Sequence, residues 1–140
     1  MYYEVTIEIV KASEEKKKKE VYLFEAISVT EAESRAIKEL SPFCPAIEVL
    51  SSKKLKMARP ILHKDGNYFY SCVIMTITTT EKGDVKEVPE NYIVNADTLI
   101  DAVERVCLEF TEYTPTIKSV KETKIVDIYP LESEEVEDES

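Results

Sequence analysis

The 140-residue chain has two glycines, one histidine and no tryptophan, and each scarcity removes a class of chemistry. Two glycines cannot furnish a Gly-rich phosphate cradle. Neither GxGxxG nor GxxxxGK[ST] occurs, nor does HExxH, which excludes nucleotide hydrolysis by those routes. A Ser-His-Asp or Cys-His site would have to use His63, which stands in a polar stretch beside Asp65 and Gly66 and reads as a loop histidine. Cys44, Cys72 and Cys107 form an odd set without a CxxC pair, so neither a disulfide framework nor a zinc ribbon is indicated. They read as reduced thiols, with Cys72 in a strand and Cys107 on an apolar helix face as small hydrophobes. Apolar runs stay as short as Val21 to Phe24 or Cys72 to Met75, far below the ~20 residues that span a bilayer. Met1-Tyr2-Tyr3-Glu4-Val5 leads straight into an alternating strand, without the basic and apolar regions of a signal peptide. A soluble, cytoplasmic protein without a membrane segment is expected.

Bases are also scarce. Lys and Arg number 18 against 28 Asp and Glu, for a net charge of -10. Six of those acids lie in 132–140 with no base among them, leaving -4 for the rest. An acidic body with an acidic tail repels phosphate backbones, so nucleic-acid binding is disfavoured. With 44% hydrophobic and 33% charged residues, the composition is that of an ordinary globular chain.

What the chain does contain is a repeat. Sliding it by 70 positions places Tyr22 to Ile61 on Tyr92 to Leu131 without a gap, and nine pairs are identical: Tyr22/Tyr92, Ala26/Ala96, Ala32/Ala102, Arg35/Arg105, Glu39/Glu109, Pro45/Pro115, Ile47/Ile117, Lys54/Lys124 and Pro60/Pro130. Average usage would supply roughly two or three by chance. Upstream, Val5, Ile7 and Ile9 alternate with polar residues as Val73, Met75 and Ile77 do, at a slightly different offset. The pattern predicts an ancient tandem duplication.

Each copy reads as a ββαβ unit. Tyr3 to Val10 and about Val21 to Ile27 are predicted strands, with the polar stretch Ser13 to Lys19 as their hairpin tip. Ser28-Val29-Thr30-Glu31 has the capping-box pattern, and Thr98-Leu99-Ile100-Asp101 repeats it with Asp in the Glu place. Apolar stripes follow at Val29, Ala32, Ala36, Ile37 and Leu40, and at Leu99, Ala102, Val103, Val106, Cys107 and Phe110. A third strand is predicted from about Ile47 to Ala58 and from Ile117 to Tyr129, closed by Pro60 and Pro130. The expected fold class is α+β: antiparallel-rich sheet or sheets with two helices packed on one face. Residues 1–131 should form a single domain of two repeats (about 1–62 and 68–131), followed by an acidic disordered tail, 132–140.

The segments Tyr22 to Glu33, Tyr70 to Ile77 and Val126 to Pro130 resemble an uncharacterised family of similar length, domain of unknown function 4494, encoded mainly by Bacteroidetes and their phages and mobile elements. The resemblance spans nearly the whole chain before the acidic tail. It implies an intracellular accessory protein of a phage or mobile element and supplies no catalytic residues.

No catalytic residue, metal ligand or cofactor is indicated, and the chain is read as not an enzyme. Helix carboxylates such as Glu31, Glu39, Asp101 and Glu109 occupy caps or faces opposite the apolar stripes. The richest candidate surface is Lys53, Lys54, Lys56 and Arg59, where the first copy concentrates base while the second has Thr123, Val126 and Asp127; as a strand it equally reads as an edge defended by lysine. Tyr68 and Tyr70 could add aromatic stacking beside these bases. Two functions follow as expectations. One is a module that binds a protein partner, with self-association into a homo-oligomer also admitted. The other is a binder of a small anionic ligand, such as a phosphate-bearing nucleotide immune signal.

Overall fold

The computed structural model describes residues 1–10, 16–44, 46–112 and 114–131, apart from the Phe43 side chain. The acidic stretch 132–140, Pro45 and the first half of the expected hairpin tip lie outside those residues. Among the described residues the fold is α+β, with eight strands in two mixed sheets and two α-helices.

Alternation of apolar and polar residues along β1 (Tyr2–Val10) buries Tyr3, Val5, Ile7 and Ile9 on one face. β1 pairs antiparallel with β2 (Lys17–Glu25), which starts within the lysine run rather than at Val21. Helix α1 (Val29–Leu40) begins where the capping pattern stands: Ser28 Oγ accepts from Glu31 N at 3.1 Å, and Glu31 Oε1 accepts from Ile27 N at 2.9 Å. Its Ala32, Ala36 and Leu40 pack on the β1 face together with Tyr22 and Phe24. A strand then returns along β1 as β3 (Ala46–Leu55).

The single third strand expected in each copy is two strands, and the second of the two joins the other sheet. After β3 the chain continues as β4 (Arg59–Ile61), which pairs parallel with β6 (Val85–Ala96). β5 (Tyr68–Thr79) pairs with β6 and with β7 (Thr116–Glu122), and α2 (Leu99–Glu109) opens on Thr98, whose Oγ1 accepts from Asp101 N at 3.1 Å. The last strand, β8 (Ile125–Tyr129), pairs parallel with β2. Sheet orders are therefore β3-β1-β2-β8 and β4-β6-β5-β7. The compact units are Met1–Leu55 with the segment from Ile125, and Lys56–Lys124, so each half of the chain gives one edge strand to the other unit. Each sheet carries one helix. Ala102 and Val106 of α2 cover Tyr70, Cys72, Ile74, Tyr92 and Val94 in the second unit.

Pairing registers revise the internal alignment. Tyr3 faces Phe24 as Tyr70 faces Val94, so the partners of Val5 and Ile7 are Cys72 and Ile74, not Val73 and Met75. Tyr3 also faces Lys54 as Tyr70 faces Glu122, and Ile7 faces Val49 as Ile74 faces Ile117. The offset of 70 thus holds through β2/β6 and the helices, and becomes 68 beyond them. Ile47/Ile117, Lys54/Lys124 and Pro60/Pro130 are therefore not equivalent positions. Both sheets bulge at the same place, between Thr6 and Ile7 and between Val73 and Ile74.

In this frame Ser52 corresponds to Val120, which packs on the second core. Ser52 Oγ is enclosed without a hydrogen-bond partner among the described residues. An enclosed orphan hydroxyl costs ~1 kcal/mol or more. Ser52→Val is therefore expected to raise stability by about 1 kcal/mol, read as a higher denaturant midpoint with unchanged slope.

Candidate functional site

The second unit contains an extension that its core does not use. β7 pairs with β5 only from Tyr70 to Met75, and β4 pairs with β6 only from Tyr92 to Val94. Past those residues β5 and β6 continue as a two-stranded ribbon to Thr79 and Val85. A turn closes it: Thr80 N donates to Asp84 O (2.8 Å), Gly83 N donates to Thr80 O (2.9 Å), and Gly83 takes a φ of 87° that favours glycine.

Side chains alternate across this ribbon. Tyr70, Cys72 and Ile74 point to the helix, so Val73, Met75 and Ile77 lie on the opposite face, across from Asn91, Pro89 and Glu87. Near the tip, Ile77 is 70% exposed and Val85, its diagonal neighbour on that face, is 71% exposed. Beside β6 lies a cleft of about 480 Å³, walled by Met57, Ala58, Val73, Val88 and Pro89, with Lys56, Glu90 and Asn91 at its polar margin. The chain enters β4 here, where Ala58 N donates to Asn91 O at 2.7 Å. Because backbone groups alternate sides, Val85, Glu87 and Pro89 direct theirs to the same open edge, and Pro89 brings no N–H to it. Acids along the ribbon are Glu81, Asp84, Glu87 and Glu90, against Lys82 and Lys86.

The residues singled out by sequence are divided. Lys53 and Lys54 lie on edge strand β3 of the first unit, opposite Glu4 and Tyr3, with Lys53 Nζ 3.6 Å from Glu4 Oε1. In the second unit Lys56 borders the cleft, whereas Arg59 forms an ion pair with Glu109 at 2.7 Å and lies 5.7 Å over the Tyr92 ring. Tyr68 is 50% exposed, while Tyr70 is in the core at 5%. Ile77, Val85, Val88, Pro89 and Met57 were not singled out. The available signal was surplus apolar residues on both faces of β5.

Titrating groups show burial more than reactivity. Burial pushes the Cys72 thiol up to about 11, and burial, then Glu25, pushes Tyr2 up to about 12. Burial also raises Asp127, opposed by its hydrogen bond from Ile128 N. Among the described residues no group of three or more His, Cys, Asp or Glu is placed to hold a metal ion, and no helix is long and apolar enough to cross a membrane.

Residues 1–131 match the family described as Domain of unknown function (DUF4494). No curated protein matches the chain.

Proposed function

The chain belongs to this family of unknown function, a membership that brings no activity with it, and from that premise we propose a non-enzymatic protein that acts by binding a protein partner. The observation that carries the reading is the pair Ile77 and Val85, apolar, adjacent and about 70% exposed on a ribbon that neither flanking strand covers. Apolar side chains left in water side by side, unlike single ones, are a feature of interaction sites. The phage or mobile-element setting rests on the family resemblance. Like helix caps and like bulges support the tandem duplication within the same proposal. The small anionic ligand has less support, since Arg59 and Lys53 are each held by a carboxylate.

A photocrosslinking residue at Thr79, on the ribbon face between Ile77 and Val85, is expected to give a discrete adduct with a second protein species in cells that make the chain. Replacing both anchors, Ile77→Asp with Val85→Asp, is expected to lower its yield at least tenfold, the loss of an interface hot spot of ~2 kcal/mol or more. No adduct, an adduct with another copy of the chain alone, or a yield indifferent to the substitutions would count against the reading.

A further inference from the structure

The first unit carries the frame of a guanidinium site whose occupied form stands in the second. Pairing registers set Arg59 beside Tyr92 and Asp127 beside Tyr22, so Asp127 holds the place of Arg59. Along the offset of 70, Tyr22 answers to Tyr92, Glu20 to Glu90 and Glu39 to Glu109. The frames agree in detail. Tyr22 Oη donates to Glu20 Oε1 at 2.7 Å, as Tyr92 Oη donates to Glu90 Oε1 at 3.0 Å. In the second unit the Arg59 guanidinium lies 5.7 Å over the Tyr92 ring and pairs with Glu109 at 2.7 Å. In the first unit the ring and the helix carboxylate remain, and a further carboxylate replaces the base.

We propose that this site takes a guanidinium group from outside, the side chain of an arginine carried by a peptide or protein segment. The charges call for a cation. Among the described residues neither Glu39 nor Asp127 forms an ion pair, and Glu39 stands in the last turn of α1, where the helix carbonyls already gather negative charge. The two carboxylates converge on the Tyr129 hydroxyl, whose pKa is raised by burial, then by Asp127 and Glu39. Arg35 does not fill the site, because its nitrogens go to the carbonyls of Glu25, Tyr129 and Pro130. Rings select the kind of cation. Tyr129 stands 6.1 Å from Tyr22 at a tilt of 45°, and a planar guanidinium stacks on such rings while its N–H groups fork to carboxylates, which a point ammonium cannot do. All these residues belong to the first unit, whereas Ile77 and Val85 belong to the second, so the test holds whatever binds the ribbon.

Amide chemical shifts of the full chain, titrated with N-acetylarginine amide at low salt, test it. Saturable shifts are expected around Tyr22, Glu39 and Asp127, and added salt weakens them. The lysine analogue binds about fivefold more weakly or worse, and the citrulline analogue, alike in shape but uncharged, does not saturate. Glu39→Gln weakens the arginine probe by about fivefold or more, since a charge-assisted pair is lost. Asp127→Arg rebuilds within the chain the pair of the second unit, so it abolishes the response in a chain whose spectrum stays dispersed. No saturable shift with the arginine probe, shifts centred elsewhere, citrulline or lysine analogues that bind as tightly, or a response indifferent to both substitutions would overturn the proposal.

Discussion

Made as two separate chains, residues 1–65 and 66–140, the protein is expected to be unfolded in either piece alone and to fold when the pieces are mixed in equal amounts. The first piece holds β1, β2, α1 and β3, and also β4, whose sheet lies in the other piece. It lacks β8, so Val21 to Phe24 of β2 lose their parallel partner, and the stacking of Tyr129 on Phe24 at 4.7 Å disappears. Ile125 and Ile128, both buried, are lost with the strand. At ~1.5–3 kcal/mol for each large apolar side chain, the loss is about 5 kcal/mol or more. That is comparable with the whole stability of a small domain, and a piece of this size is marginal even with its core complete. The second piece is deprived in the same way of β4 and its buried Ile61. Mixing returns both strands. Far-UV circular dichroism and a titration with a break at equal amounts would show recovery, and a cooperative thermal transition in either piece alone would refute the dependence.

The elements set by local chemistry were legible in the sequence: two hairpins, two helices and the cap at each helix start. Ser28 and Thr98 need only a hydroxyl and an acid three residues on, information contained within one turn of chain. Three things were hidden. Cys72 and Ile74 form the core face of β5, yet Val73, Met75 and Ile77 alternate just as well, and a period of two cannot select a face when both carry apolar residues. The ungapped alignment slipped by two beyond the helices, and a slip of two preserves face parity, so Ile47/Ile117 looked equivalent although Ile117 answers to Val49. The crossing of β4 and β8 left no local trace, because a strand that leaves one sheet and enters another keeps its alternation. Parallel pairing of β2 with β8 joins residues about a hundred positions apart. For the same reason the basic run Lys53 to Arg59 read as one patch, although the unit boundary falls after Leu55.

Arg35 and Arg105, identical in the repeat and silent as to role, are expected to be among the costliest polar side chains to remove. Arg35 Nη1 donates to Glu25 O at 2.7 Å, at the end of β2, and to Tyr129 O at 3.0 Å, at the end of β8; Nη2 donates to Pro130 O at 3.3 Å. Its guanidinium also lies 5.6 Å over the Phe24 ring. Arg105 repeats the arrangement, donating to Asn95 O at 2.6 Å and to Asp65 O, while Asp101 pairs with its other nitrogen at 3.3 Å. Each helix thus fastens the incoming strand's exit to the end of its own unit's second strand. Glu25 and Asn95 reinforce this, accepting from Leu131 N at 3.0 Å and His63 N at 2.7 Å. Truncation of either arginine strands partly buried carbonyls, so Arg35→Ala or Arg105→Ala should cost roughly 3 kcal/mol or more. Lysine should recover less than half of it, because a point ammonium cannot reproduce the planar fork that reaches separate carbonyls. Denaturant midpoints give the cost, and hydrogen exchange gives the place: protection should fall first in β8 for Arg35→Ala and first in β4 for Arg105→Ala. A cost below ~1 kcal/mol, or exchange that rises evenly over both sheets, would show that the arginines do not fasten these strands.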